Sequence, residues 1–363
     1  MNENVSPPNS DEAAAIVLLG AIESTEATEE ESNFFQNEDI SGIVLFKRNI
    51  PKTDKSLTDL QARRTIKNSL SQLKSSLLGP SSSAFKRSAP FLFAVDQEGG
   101  RVARLSRGVR NEGPALLLTN GAADAPSLRY IEQYGSDLAE GLRELGIQVN
   151  FAPVLDILTE PQNTSIGDRS FGYDKESVSS RAGAFLRGLQ SGGVWGCLKH
   201  FPGQGHSMAD THLQASLVPI DPKTLWNREL VPFQALLSQV QMVMVSHCIY
   251  PTIDSKPAGL SSVFLGKILR EELSYTGLIV SDDMNMKALD QDLSSWNNSL
   301  VEAITVGVDL LLICRDLQKI RAAIEALRMA ARQSAAFEKR LLNAAHRVLR
   351  FRQNLVKKQG VES

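Results

Sequence analysis

The chain predicts an α/β fold of the TIM (β/α)8 barrel class in a single domain, and three observations carry that expectation. Its 363 residues suit one barrel of ordinary size. Eight short apolar runs recur along it, most of them nearly continuous, as parallel strands covered on both faces require. Amphipathic stretches of helical period lie between or after them, so strand and helix alternate.

Taken in order, the runs predict strands at 15–19, 43–46, 91–95, 149–153, 194–198, 242–246, 278–281 and 309–313. Helical periodicity falls at 127–145, 176–190, 224–239, 262–273 and 317–331, and a last helix covers 335–356. Thr28-Glu29-Glu30-Glu31 has the form of a capping box, in which a threonine and a glutamate three residues later satisfy each other's backbone amides. A Ser/Pro-rich segment at 79–90 reads as a surface insertion. Residues 1–12 and 357–363 read as polar tails of one domain that takes in 1–363.

Composition narrows the function classes. Net charge is −2, no basic stripe is present and aromatics are 6%, so neither a phosphate-binding surface nor a stacking platform for nucleic acid is expected. The first dozen residues are polar and acidic where a secretory signal needs a basic start and an apolar core. No apolar run is long enough for a bilayer. Cys197, Cys248 and Cys314 are odd in number and sit in or beside apolar runs, which suits buried thiols in a reducing compartment. A cytoplasmic monomer without a membrane or nucleic-acid partner is the expectation.

In such a barrel, function collects at the carboxyl ends of the strands, where the βα loops form the mouth. The chain places polar residues there repeatedly: Arg48-Asn49 after the second run, Asp96-Gln97-Glu98-Gly99-Gly100-Arg101 after the third, and Asp156 after the fourth. Lys199-His200 follow the fifth, His247 the sixth and Asp282-Asp283 the seventh. Four of the five histidines, His200, His206, His212 and His247, fall in one region beside Lys199 and Asp210. Carboxylates, arginines, a lysine and histidines without a nucleotide loop favour a small polyhydroxylated substrate, because together they accept from and donate to neighbouring hydroxyls. Gly99-Gly100 would let backbone approach a ligand, or simply make a turn.

Cleavage at an anomeric carbon needs a group below the ring to trap positive charge and a proton donor beside the leaving oxygen. Asp282 suits the first role; its neighbour Asp283 competes for it, but capping the following helix suits Asp283 better. His212 titrates near neutrality and suits the second role, with Asp210 two residues back able to orient its ring. Two carboxylates are the usual arrangement, and the residues alone do not choose between the two donors.

Lys199-His200-Phe201-Pro202-Gly203, Asp210-Thr211-His212, Asp96 to Val102 and Ser281-Asp282-Asp283-Met284 together resemble the glycoside hydrolase family 3 β-N-acetylglucosaminidases of the NagZ type. Gly42 to Asn49, Asp168-Arg169-Ser170-Phe171-Gly172, Ser246-His247 and Gly307-Val308-Asp309 extend the likeness through most of the chain. The resemblance implies a cofactor-free and metal-free barrel that removes terminal β-linked N-acetylglucosamine with retention. Asp282 would be the nucleophile and His212, oriented by Asp210, the acid/base. Asp96, Arg104, Arg169, Lys199 and His200 would bind the sugar. It also implies a muropeptide substrate, N-acetylglucosamine linked to anhydro-N-acetylmuramic acid, in peptidoglycan recycling. Gln204 and His206 depart from the family's loop pattern. The rival readings are a phosphorylase or broader glycosidase on the same barrel, a metal-dependent hydrolase using His200, His206, His212, His247 and Asp282, and a silent sugar-binding barrel.

Overall fold

The computed structural model describes residues 7–79, 89–207, 216–286 and 292–358. Its central sheet has the strands β1 Leu18–Gly20, β2 Gly42–Leu45, β3 Leu92–Val95, β4 Val149–Asn150, β5 in two pieces (Trp195–Gly196 and Leu198–Phe201), β6 Met242–Val245, β7 Leu278–Asp283 and β8 Leu310–Leu312. All pair in parallel with their neighbours in chain order, and β1 pairs with β8. The first piece of β5 pairs with β4 and the second with β6, so the two ends of the strand order are one strand and the barrel closes. A bridge between Val154 and Lys199 carries the β4–β5 contact further toward the mouth.

Five of the eight predicted strands keep their place to within two residues at either end, and the fourth stops three residues short, at Asn150. The first is corrected. Ala13 to Ile16 belong to a helix, Ser10–Ile16, and the strand starts only at Leu18. An apolar run cannot by itself separate a buried helix from a strand. Here alanine-rich composition and a capping box between Asn9 and Glu12 decide for helix. The polar tail drawn at 1–12 is therefore too long, since this cap and first turn lie inside it. The fifth strand runs on to Phe201, so Lys199 and His200 lie within it.

Ala125–Glu144, Lys175–Ser191, Val263–Glu272, Leu317–Gln333 and Ala335–Lys358 stand where helical periodicity is expected. Asp59–Leu78, a helix not among those expectations, buries Ala62, Ile66, Leu70, Leu73 and Leu77, one stripe at three- and four-residue spacing. Thr28 caps Glu29–Asn37 with Glu31 as expected. The stretch 224–239 is not one helix: a wide five-residue turn, Leu225–Glu229, precedes Val231–Leu236. Pro232 has no amide to donate and its ring crowds the carbonyl four residues back, which forces the break. Most of the 79–90 segment lies outside the described residues. No helix among the described residues is long and apolar enough to cross a membrane.

At the amino-terminal end of the strands, charged side chains pin outer helices to the barrel floor. Asp309, just before β8, receives Arg270 Nη2 at 2.6 Å and Arg340 Nη2 at 3.0 Å. Arg352, fully buried on helix Ala335–Lys358, donates to Asp39, to Ser41 and to the Pro90 carbonyl. The opposite end carries the cleft.

Candidate active site

Two connected cavities of about 240 and 270 Å³ open at the carboxyl ends of the strands, and Asp96, Arg104, Met244 and Asp282 line both. They form one cleft. The first half adds Phe46, Arg48, Met286 and Cys314; the second adds Glu98, Arg169, Lys199 and His200. Of the sequence-predicted residues, Asp96, Arg104, Arg169, Lys199, His200 and Asp282 therefore meet around a single space. Asp210 and His212 lie outside the described residues.

Each side chain comes from a strand end or the turn after it. Asp96 follows β3, and a short antiparallel hairpin, Gln97–Gly99 with Val102–Ala103, supplies Glu98 and leads to Arg104. Gly99 and Gly100 hold φ of 102° and 55°, and a Cβ on Gly100 would sit 2.8 Å from Pro114. Their role is to make this turn against the 112–114 segment. Arg48 Nη2 donates to the Cys314 carbonyl at 2.9 Å and Asn49 Nδ2 to the Ile22 carbonyl at 3.0 Å, so this pair joins neighbouring loops at the rim.

The polar wall is one network. Lys199 Nζ lies 2.8 Å from Asp96 Oδ1 and 2.6 Å from Glu98 Oε1, and Arg104 Nη2 lies 3.2 Å from Asp96 Oδ2. Arg169 grips Glu98 with two parallel bonds of 2.8 and 2.9 Å. Burial alone would raise these acids. The opposing pull of Arg169 and Lys199 holds Glu98 far below the usual carboxylate range, and Lys199 with Arg104 holds Asp96 low as well. Reciprocally, Asp96 and Glu98 raise Lys199 despite its burial.

Glu98 and Asp156 are expected at the rim by position, but the sequence assigns neither of them a role. Glu98, 5% exposed, joins the two cations that face the cleft. The bidentate demand of an arginine in the 165–172 turn was the missing signal, and that contact spans 71 positions. Asp156, fully buried, bonds His200 Nδ1 at 2.6 Å through Oδ2, while its Oδ1 accepts the Gln204 amide at 2.8 Å. Gln204 is itself buried, and its Oε1 accepts from Ser246 Oγ at 2.9 Å. His206 Nδ1 lies 3.0 Å from Thr159 Oγ1. The two departures from the family pattern thus anchor the start of the 203–212 loop.

On the opposite wall, Asp282 Oδ1 accepts the Asp283 amide at 2.8 Å. Burial pushes its carboxyl up, but His200, His247 and that amide outweigh it and hold the group below its ordinary value. Asp283 behaves oppositely: burial raises it. Its Oδ1 accepts the Asn285 amide at 3.0 Å and the Cys314 amide at 3.2 Å, while His247 Nε2 sits 3.3 Å from its carbonyl. Asp283 does not cap the next helix as expected; Asp292 caps Leu293–Val306. It ties the end of β7 to β8.

A half-buried carboxylate held in its ionised form thus faces a wall of charged donors and acceptors across one cleft. Comparison with known proteins agrees with this chemistry. Residues 14–351 match the description "Glycosyl hydrolase family 3 N terminal domain". A beta-hexosaminidase of Actinobacillus pleuropneumoniae serotype 3 is 33% identical over 316 residues, 86% of this chain and 85% of that protein. Among solved structures, a glycoside hydrolase family 3 beta-N-acetylglucosaminidase from a Paenibacillus species superposes with a TM-score of 0.79 at 29% identity, covering 95% of this chain. The chain spans 62% of that protein's length. Native NagZ from Neisseria gonorrhoeae superposes with a TM-score of 0.68 at 27% identity, covering 91% of this chain and 97% of that one.

Proposed function

The chain belongs to glycosyl hydrolase family 3, and from that premise we propose that it removes terminal β-linked N-acetylglucosamine with retention of configuration, Asp282 acting as nucleophile. It is a glycoside hydrolase of the β-N-acetylhexosaminidase kind, acting on a carbohydrate. The observation that carries the residue assignment is the single cleft in which Asp282 faces Asp96, Arg169, Lys199 and His200.

Two of the three protons on Lys199 Nζ go to Asp96 and Glu98, which leaves one for a sugar hydroxyl. Glu98 saturates one edge of Arg169, so that guanidinium is fixed when substrate arrives. Asp282, ionised, attacks the anomeric carbon and displaces the aglycone oxygen, which takes a proton from His212. His212, oriented by Asp210, then removes a proton from water, and that water releases the sugar from Asp282. The muropeptide N-acetylglucosamine–anhydro-N-acetylmuramic acid is the proposed substrate, hydrolysed by a cytoplasmic monomer in peptidoglycan recycling. The resemblance to NagZ-type enzymes supports that part.

Incubation with a slow fluorinated N-acetylglucosaminide, followed by peptide mapping, is expected to label Asp282; a label on any other residue overturns the assignment. For the acid, His212→Ala is expected to slow substrates with poor leaving groups by about 100- to 10,000-fold, and activated aryl glycosides much less. Equal losses on both substrate types would remove His212 from the proton-donor role. Running the same assay with phosphate and looking for sugar 1-phosphate separates hydrolysis from phosphorolysis.

A further inference from the structure

We propose that Asp156 is a positioning residue that fixes His200 as the Nδ1–H tautomer, so that Nε2 offers a lone pair to a substrate hydroxyl, and that the same carboxylate holds the start of the 203–212 loop. The proposal rests on the reading of His200 as a sugar ligand and goes beyond it by assigning the proton.

Two contacts at opposite ends of the imidazole fix that proton. Asp156 Oδ2 lies 2.6 Å from Nδ1, and an ionised carboxylate only accepts, so Nδ1 carries hydrogen. At the far end Nε2 lies 3.5 Å from Arg169 Nη2, and a guanidinium only donates. In the neutral ring a proton on Nε2 would confront that donor, whereas a lone pair there does not; the pull on Asp282 is that of the protonated ring, at the acid pH where that carboxyl titrates. The ring, 4% exposed, is one wall of the cleft, so the Nε2 edge is what a sugar meets.

The other carboxylate oxygen makes the arrangement directional. Asp156 Oδ1 accepts the His200 amide at 3.3 Å and the Gln204 amide at 2.8 Å. Its backbone carbonyl accepts Ser170 Oγ at 2.6 Å, one residue from Arg169. One buried residue thus touches both sugar-binding segments and Gln204, at the start of the loop that carries Asp210 and His212. In Asp156→Asn, the two backbone donors retain the carbonyl oxygen on their side. The amide nitrogen is then forced onto His200 Nδ1, which must accept, and the proton moves to Nε2.

Nitrogen-15 NMR of histidine-labelled protein, with His200 assigned by its loss in His200→Gln, reads the tautomer directly. The expected result is Nδ1–H in the natural protein and Nε2–H in Asp156→Asn, with KM for an N-acetylglucosaminide raised about ten- to a hundredfold. A natural protein showing Nε2–H or a doubly protonated ring at neutral pH overturns the proposal, and needs no variant to fold. An Asp156→Asn protein that keeps Nδ1–H overturns it too. So does one that switches tautomer without any change in KM or kcat. Failure of the natural protein to hydrolyse any N-acetylglucosaminide would instead strike the functional reading, leaving the tautomer result to stand by itself.

Discussion

The two ends of this barrel bury the same chemistry and put it to opposite uses. On the floor, Asp309 has both oxygens filled: Oδ2 takes Arg270 and the Ile279 amide, Oδ1 takes Arg340. Arg352 is likewise spent on Asp39, Ser41 and backbone carbonyls. At the mouth, Lys199 is buried and Arg169 and Asp282 are half-buried, but all three line open space. A saturated ion pair fixes structure. One that borders a cavity keeps hydrogen-bonding capacity for a ligand, and that capacity is what the floor lacks.

The sharpest way to break this comparison is to neutralise one carboxylate at each end. Asp282→Asn is expected to lower kcat by about 10,000-fold or more, as loss of a nucleophile does, while the unfolding midpoint stays unchanged or rises. Asp309→Asn should do the reverse. It puts an amide against two guanidinium groups and is expected to cost about 3–5 kcal/mol of stability, with kcat per folded molecule unaltered. Urea unfolding and turnover on the same preparations decide it. If either variant lost both properties, the two ends would not be functionally separate.

That separation also explains what the sequence could and could not reveal. Strand positions were legible because burial on both faces leaves continuous apolar runs such as Met242 to Val245. The first run misled because Ala13 to Ile16 are as apolar as a strand, and the deciding cap, Asn9 with Glu12, sits outside the run. Site residues on strand ends were legible from position. Glu98 and Asp156 were legible in place but not in role, because their importance comes from Arg169 and His200, partners 71 and 44 positions away. For Asp283, a helix-start reading was natural from local sequence. Its actual partner, the Cys314 amide, lies 31 positions on, across the barrel seam between β7 and β8.

Glu229 sharpens the comparison because it is buried like the floor carboxylates yet only half paired. Its Oε1 accepts Arg228 Nε at 2.7 Å, while Oε2 has no hydrogen-bond partner among the described residues. Gly203, with φ of 118°, passes so close that a Cβ there would stand 3.1 Å from that oxygen. Burial lifts the carboxyl from its ordinary 4.5 to about 7, against the pull of Arg228. The folded state therefore holds a proton that the unfolded chain releases near pH 4.5, so stability falls as pH rises from about 4.5 to 7 and is level above that. The full interval is worth up to about 3 kcal/mol. Glu229→Gln has no proton to release and is expected to flatten this part of the stability profile, measured by urea unfolding at pH 5 and pH 8. An unchanged slope would mean that Glu229 is ionised in the fold, its charge as well compensated as that of Asp309, and that pairing at the loop base is no weaker than at the floor.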